Sequence, residues 1–214
     1  MSESFWDRIT EDMKFVLNGF SQSEVGKQFY LAGGTALALQ LGHRQSVDLD
    51  FFSQTEDIPT IRPQLEETVA IFNATPADAP LGNLVYMIGD VRVVFHTPDH
   101  VLVNPIIETE GLRLASVEDI GLMKLDTLLS RASRKDFYDL YFICQKIHLK
   151  QLLDLALEKY PSVRDFETQA ARRLVFFEGA EHQPDPLLRE QVSWQTVKEY
   201  FNEQAKEIGR DWLQ

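Results

Sequence analysis

The strongest constraint on the fold is a pair of aspartates two residues apart in an apolar run. Residues 32–52 read AGGTALALQLGHRQSVDLDFF, in which Asp48 and Asp50 alternate with Leu49 and Phe51. Side chains two apart in a strand share a face, so both carboxylates project together while the apolar neighbours enter the core. A buried charge is costly unless a partner compensates it. The acidic face must therefore meet solvent, a ligand or a cation.

Asp48 and Asp50 have the chemistry of a metal site. At a rise of ~3.3 Å per residue, their positions lie roughly 7 Å apart. Carboxylate oxygens suit Mg²⁺, which keeps several waters and also takes substrate phosphates. We predict that Asp48 and Asp50 are catalytic residues that bind Mg²⁺ or Mn²⁺. An isolated Asp-x-Asp pair is also common in solvated turns, and that interpretation stays open.

Gly33 and Gly34 separate a predicted strand from a predicted helix. Glycine lets the backbone come close to a ligand. A helix N-terminus offers free N–H groups and a partial positive charge to a phosphate. Thr35 adds a hydroxyl, and Ser46 lies on the face of the acidic pair. We predict that these four residues bind the phosphates of a nucleotide, although a glycine pair is also typical of a simple turn.

The chain changes character near residue 115. Before it, short apolar runs and a Gly89-Asp90 turn predict strands, interleaved with helices over 4–20, 35–41 and 59–72. After it, apolar residues recur at spacings of three and four, as in helices. The sequence predicts an α/β lobe with a small mixed sheet over 1–115 and an α-helical lobe over 116–214.

Composition excludes several classes of protein. The net charge of −12 disfavours a broad nucleic-acid-binding surface, although a local basic groove stays open. The single cysteine, Cys144, excludes an intramolecular disulfide. The N-terminal residues do not have the pattern of a signal peptide, and no apolar run approaches the ~20 residues of a membrane span. We therefore expect a cytoplasmic protein that has no membrane partner.

The motifs together resemble the nucleotidyltransferase superfamily with the DNA-polymerase-β-like fold. Its mark is a hydrophobic residue, Gly, and then Gly or Ser, followed after about ten residues by Asp-x-Asp. Ala32-Gly33-Gly34 and Asp48-Leu49-Asp50 match this pattern. The segments AGGTALAL and HRQSVDLDFF are similar to the AbiEii/AbiGii toxin family of bacterial type IV toxin–antitoxin systems. The resemblance continues through residues 115–143 and 176–188, so it covers most of the chain.

This resemblance implies an enzyme whose substrate is a nucleoside triphosphate. It would transfer a nucleoside monophosphate to a hydroxyl of an RNA such as tRNA, or of a protein, and release pyrophosphate. A cognate antitoxin is an implied partner. The alternative is a catalytically degenerate module that keeps the fold and binds only a nucleotide or a partner.

The resemblance also implies roles for residues of the helical lobe. Lys124 would neutralise nucleotide phosphate as a catalytic residue, and Asp136, also catalytic, or Asp139 would orient a ligand or another side chain. Arg131 and Lys135 would add the positive charge that phosphoryl transfer requires. By spacing, Lys124, Arg131 and Lys135 share one face if a single helix continues through them. Exposed ion pairs of small energetic worth are the alternative.

One strand departs from the superfamily pattern. Polymerase-β-like enzymes usually carry a third carboxylate on a later strand, and we align that position with Val94, which cannot bind a metal. His96 is the potential ligand or base on the same face, and a neutral imidazole replaces a carboxylate poorly on Mg²⁺. A single-metal enzyme, a base from the helical lobe, and binding without efficient turnover all stay open. Arg44 is predicted either to touch a triphosphate or to face solvent.

Overall fold

The computed structural model describes residues 4–53, 57–79, 82–97 and 101–211. The chain forms two compact units, Met1–Ser116 and Val117–Gln214. The first unit combines a β-sheet with helices, and the second is built from helices. The predicted fold class, a mixed α/β lobe followed by a helical lobe, is confirmed.

Seven strands of the described residues form one mixed sheet. Its order is β3-β4-β5-β2-β1-β7-β6. The β2/β5 and β1/β7 pairs are parallel, and the other pairs are antiparallel. The strands are β1 (Phe29–Ala32), β2 (Asp48–Ser53), β3 (Thr75–Ala77), β4 (Asn83–Ile88), β5 (Val91–His96), β6 (Ile107–Thr109) and β7 (Leu112–Leu114).

The sequence predicted the central strands but missed both edge strands. The β4–β5 hairpin turns at Gly89-Asp90, as expected. In contrast, β3 falls within residues 73–82, whose Pro, Ala and Asp residues predict a loop, and β6 was not predicted. All three residues of β3 are exposed, and none of the residues of β6 is buried. A strand without a buried face has no apolar alternation by which its sequence could reveal it.

The described residues of the first unit form three α-helices: α1 (Glu11–Gln22), α2 (Gly33–Leu41) and α3 (Ile58–Ala70). Thr10 caps α1 by accepting a hydrogen bond from the Met13 backbone N–H at 3.2 Å. Gly42 ends α2 in the left-handed conformation at φ +65°, as its glycine predicted. Helix α2 begins at Gly33, directly after β1 ends at Ala32, so the glycine pair lies at the end of that strand.

An aromatic cluster forms the core against one face of the sheet. The Phe20 ring of α1 lies 4.6 Å from the Phe51 ring and 5.1 Å from the Phe95 ring, measured between centroids. Phe29 packs against Phe20 and Phe95 as well. Because β2 alternates, burying Phe51 on this face turns Asp48 and Asp50 to the opposite face.

Five helices of the described residues form the second unit. They are α4 (Val117–Ser130), α5 (Arg134–Cys144), α6 (Leu149–Lys159), α7 (Phe166–Arg173) and α8 (Trp194–Asp211). Helix α4 packs against α5, α6 and α7, and α8 packs against α5 and α7. Within the described ranges, none of the helices is both long enough and apolar enough to cross a membrane.

Candidate functional site

Asp48 and Asp50 begin β2, and they share the face that lies opposite the aromatic core. The strand alternates between half-buried and buried residues, with both aspartates half-buried and Leu49 and Phe51 buried. Strand β5 runs parallel beside it and pairs Asp48 with Arg92 and Asp50 with Val94. The structure therefore has the two carboxylates side by side and within reach of solvent, as the alternation predicts.

Gly33 leaves space for one of these carboxylates. Its φ of +64° is a left-handed conformation that favours glycine. A Cβ added at this position would lie 2.6 Å from Asp50 Oδ2, closer than real Cβ contacts come. The absence of a side chain at Gly33 thus makes room for the carboxylate of Asp50. Contact between the Gly33 backbone and a phosphate stays a prediction.

Gly34 serves a different side chain, the guanidinium of Arg44. A Cβ added at Gly34 would overlap Arg44 Nη2 and would lie 3.4 Å from Ser46 Oγ. Arg44 is only 5% exposed, and its Nη1 donates to the backbone carbonyl of Gln45 at 2.8 Å. The expectation of a solvent-facing arginine is therefore wrong, because the missing Cβ of Gly34 lets the guanidinium pack inside the turn. The glycine pair thus has a carboxylate against one residue and a cation against the other.

Thr35 and Ser46 are buried and hydrogen-bonded to each other. Their hydroxyl oxygens lie 2.8 Å apart, and the Thr35 hydroxyl also bonds the backbone carbonyl of Asp48. Because a carbonyl only accepts, Thr35 donates there and Ser46 donates to Thr35. These bonds tie the start of α2 to the start of β2. A ligand contact by either hydroxyl stays a prediction.

His96 contacts the acidic pair from the end of β5. Its Nε2 lies 3.2 Å from Asp50 Oδ1, and its ring stacks on Phe52 with centroids 4.4 Å apart. Val94, which pairs with Asp50 in the ladder, is 2% exposed and has no oxygen to offer. The aligned position of the third carboxylate is therefore occupied by a methyl-bearing side chain next to Asp50.

The donor set has the chemistry to bind a divalent cation. Among the described residues, no group of three or more His, Cys, Asp or Glu side chains is placed to hold a metal ion. Asp48 and Asp50 supply two hard oxygen donors on one accessible face. Mg²⁺ is commonly bound by one or two carboxylates together with phosphate oxygens and water. The pair therefore fits Mg²⁺ or Mn²⁺ in the presence of a triphosphate.

In the second unit, Lys124 joins two aspartates in a buried cluster. Its Nζ lies 2.5 Å from Asp136 Oδ1 and 2.8 Å from Asp139 Oδ2. The side chains are 10%, 1% and 0% exposed, respectively. Asp136 Oδ2 is buried without a hydrogen-bond partner among the described residues. The expected alternative of exposed, energetically minor ion pairs is wrong, because these pairs join α4 to α5 away from water.

Arg131 and Lys135 do not extend a helical face from Lys124. Helix α4 ends at Ser130 and α5 begins at Arg134, so the predicted continuous helix is interrupted. Ser133 is extended at φ −119° and ψ 132°, and the Arg134 backbone N–H donates to Gln183 Oε1 at 3.0 Å. Arg131 lies in the connection and Lys135 in the first turn of α5, both exposed. Their role in nucleotide binding stays a prediction.

Arg134 has a structural role that the sequence did not reveal. Its guanidinium donates to the backbone carbonyls of Ala180 and Glu181 and to Asp185 Oδ1, the last at 2.9 Å. It also lies over the Trp194 ring, 4.8 Å from its centroid. The nearby Tyr138 hydroxyl lies 3.2 Å from Asp185 Oδ1, and burial raises the pKa of Tyr138 to about 12. Arg134 thus holds the segment that follows α7 in place.

A second buried ion pair also escaped the sequence analysis. Lys159 Nζ on α6 lies 2.7 Å from Asp119 Oδ1 on α4, with side chains 3% and 0% exposed. The two residues are forty positions apart, so no helical spacing in the sequence could have paired them. Their contact fixes α6 against α4.

Comparison with known proteins identifies related sequences. A sequence model of the family described as "Nucleotidyl transferase AbiEii toxin, Type IV TA system" matches residues 15–83 and 88–213. An uncharacterised protein of Aquifex aeolicus (strain VF5) is 33% identical over 209 residues, which cover 94% of this chain and 97% of that protein.

Solved structures share the fold at lower identity. MenT4, a nucleotidyltransferase toxin from Mycobacterium tuberculosis H37Rv, has a TM-score of 0.62 and 17% identity, over 91% of this chain and 81% of that one. ANT(2")-Ia, solved in complex with adenylyl-2"-tobramycin, has a TM-score of 0.56 and 15% identity, over 75% of this chain and 99% of that one.

Proposed function

This chain is a nucleotidyltransferase of the AbiEii toxin family of type IV toxin–antitoxin systems, and we propose that it transfers a nucleoside monophosphate from a nucleoside triphosphate to a hydroxyl of an RNA or a protein. The observation that carries the proposal is the shared, half-buried face of Asp48 and Asp50 beside the glycine turn. The acceptor oxygen would attack the α-phosphorus, the bond to the bridging oxygen would break, and pyrophosphate would leave.

Asp48 and Asp50 would hold Mg²⁺ or Mn²⁺ through their carboxylate oxygens. When bound, such an ion neutralises charge on the triphosphate and on the phosphoryl group in transit. The chain's own contribution is to fix the donors. The Thr35 hydroxyl bonds the backbone of Asp48, and the face of Gly33 adjoins Asp50 Oδ2. Arg44, packed against Gly34, adds a cation next to the turn that we propose receives phosphate.

The cluster of Lys124, Asp136 and Asp139 is the second set of residues to which we assign a role. Lys124 would neutralise the negative charge of the nucleotide phosphates, and the two aspartates would orient its ammonium group. Arg131 and Lys135 would add positive potential. The support is the family resemblance of residues 115–143 together with the contacts of Lys124 to both carboxylates. An ammonium group has three N–H donors, so contacts with two carboxylates do not by themselves prevent Lys124 from donating to a phosphate oxygen.

The alternative, a binding module without turnover, is favoured by one observation. Strand β5 pairs Val94 with Asp50 and carries no carboxylate among its residues 91–96. Phosphoryl transfer still requires activation of the acceptor, and two carboxylates supply fewer candidate bases than three. The two functions differ in a measurable product, so one experiment separates them.

The test is transfer of label from each of the four α-³²P ribonucleoside triphosphates, with Mg²⁺ or Mn²⁺. Total RNA, purified tRNA and the protein itself serve as acceptors in separate reactions. We expect a labelled acceptor with wild type and a loss of at least 100-fold in Asp48→Ala and Asp50→Ala, on the order of the loss of a main transition-state contact. Asp90→Ala, an exposed aspartate of the β4–β5 turn, is the matched control.

Three outcomes are distinguishable. Label in RNA but not in protein, or the reverse, identifies the class of the acceptor, and label in purified tRNA shows that tRNA is among the RNA acceptors. Triphosphate binding without product in any reaction supports the binding module instead. Equal activity of wild type and Asp48→Ala refutes the assigned site. Growth arrest on expression, abolished by Asp50→Ala and relieved by co-expression of the adjacent reading frame, would support the toxin role and an antitoxin partner.

A further inference from the structure

His96, at the end of β5, contacts Asp50 from outside the Asp-x-Asp motif. We propose that His96 is a positioning residue that holds Asp50 in a fixed orientation toward a divalent cation, and this inference rests on the proposed function. Its Nε2 lies 3.2 Å from Asp50 Oδ1. An ionised carboxylate only accepts hydrogen bonds, so Nε2 carries the proton and donates.

The two oxygens of Asp50 have different surroundings. Oδ1 accepts from His96, whereas Oδ2 lies against the Cα face of Gly33, where a Cβ would be 2.6 Å away. A hydrogen bond on one side and a close backbone on the other restrict rotation of the carboxylate about its last torsion. A carboxylate that is already oriented loses less freedom when it binds a cation, which favours binding.

The imidazole of His96 is itself held by stacking. Its ring is nearly parallel to Phe52, at 15° and 4.4 Å between centroids. Phe52 in turn stacks on Tyr30, at 19° and 5.7 Å. Tyr30 is 4% exposed, so this row of rings is anchored in the interior. The donor that reaches Asp50 therefore comes from a side chain with little freedom to move.

The contact is also accessible to a ligand. The side chains of His96 and Asp50 are 24% and 27% exposed, in contrast to the ion pairs of the second unit. A hydrogen bond to a candidate metal ligand at an accessible face has the arrangement by which outer partners orient inner ligands.

The first arm of the experiment examines the contact without metal. Long-range ¹H–¹⁵N NMR of the histidines in the metal-free chain should show almost exclusively the Nε2-protonated tautomer for neutral His96, and in Asp50→Ala its fraction should fall to that of a free imidazole. A dominant Nδ1-protonated tautomer in wild type would overturn the inference, because Nε2 could not then donate to Asp50.

The second arm measures binding of Mn²⁺ alone, from the EPR signal of the free ion. His96→Phe keeps the stacking on Phe52 but removes the donor, and we expect its affinity to fall by about 10–100-fold, as for loss of an outer partner. His96→Gln, whose amide can donate from near the Nε2 position, should recover most of the affinity. His182→Phe, the same change at an exposed histidine of the second unit, should leave it unchanged.

Each result has a separate meaning. Wild-type affinity in a folded His96→Phe, verified by circular dichroism, overturns the inference while the proposed function stands. Equal Mn²⁺ affinity in wild type and Asp50→Asn overturns the metal part of the proposed function, and the inference with it. Weak binding in both His96→Phe and His96→Gln would show that the imidazole acts other than by donating to Asp50, which also contradicts the inference. In the nucleotidyl-transfer assay, those His96 variants that remain active should lose rate mainly in kcat.

Discussion

Replacing Gly33 by alanine should destabilise the first unit for two separable reasons. The φ of +64° would place the alanine in the left-handed region, which costs an L-residue about 1–2 kcal/mol of stability. The new Cβ would also lie 2.6 Å from Asp50 Oδ2, and overpacking of this kind costs about 1–3 kcal/mol. We therefore expect the free energy of unfolding to fall by about 2–5 kcal/mol.

Gly89→Ala is the matched control for this substitution. Gly89 has a φ of +57° in the same unit, and nothing lies within 4 Å of the position of its Cβ. Its replacement should therefore show the backbone cost alone, about 1–2 kcal/mol. In the double variant Gly33→Ala/Asp50→Ala the clash with the carboxylate is gone, so the effect of Gly33→Ala should shrink to that of Gly89→Ala.

Hydrogen–deuterium exchange is the assay, because the chain has two units and a single global transition cannot be assumed. Peptides that cover β1 and β2 report the stability of the first unit, and peptides from α4 report that of the second. If Gly33→Ala destabilises β2 no more than Gly89→Ala does, or if removing Asp50 brings no relief, Gly33 does not serve the carboxylate and the reasoning is wrong.

Three further predictions follow from the same contacts. Gly34→Ala should lower nucleotidyl transfer in the radiolabel assay, because its Cβ displaces the guanidinium of Arg44. In the double variant, Arg44→Lys should partly restore activity, because lysine lacks the branched guanidinium that the Cβ would overlap. Additive losses in the double variant would contradict this explanation. Lys124→Met removes the ammonium that contacts two buried carboxylates and should destabilise α4 by about 3–5 kcal/mol in hydrogen exchange. Lys206→Met, at an exposed ion pair, should change the stability by less than about 1 kcal/mol. Burial raises the pKa of Cys144 to about 12, so the folded chain should resist Ellman's reagent at pH 8 and react only after unfolding. Since the folded pKa of Cys144 exceeds the unfolded one, the stability that Cys144 contributes is complete below about pH 8.5 and declines above it by about 1.4 kcal/mol per pH unit. Between about pH 8.5 and 10, below the range in which tyrosines titrate, this decline should be absent in Cys144→Ala.

The hydrophobic pattern predicted the elements that have one buried face. Alternation in residues 47–52 predicted β2 and the shared direction of Asp48 and Asp50, and Gly42 predicted the end of α2. These inferences succeed because burial of a face imposes a period of two or 3.6 on the residues themselves. The edge strands β3 and β6 have no buried residues and therefore no such apolar period, so the sequence did not reveal them.

The helical break after Ser130 shows why the second group of residues was harder to predict. Spacing alone allowed Lys124, Arg131 and Lys135 one common face. The connection that separates them is held by Arg134 through acceptors forty-six to fifty-one residues further along the chain. Local sequence carries no record of such distant acceptors, so the break and the burial of Lys124 between two aspartates both escaped it.

The sequence by itself determined the order of elements, with strands and helices before residue 115 and helices after it. It also determined the family and the presence of an acidic pair beside a glycine turn. These features depend on local periodicity and motif spacing, which are properties of the sequence alone. Only the tertiary structure decided what the glycines accommodate. One leaves room for a carboxylate of the chain, and the other for a buried guanidinium. It also decided that a histidine on a parallel strand reaches Asp50, because strand register brings together residues forty-six positions apart, which no local pattern encodes.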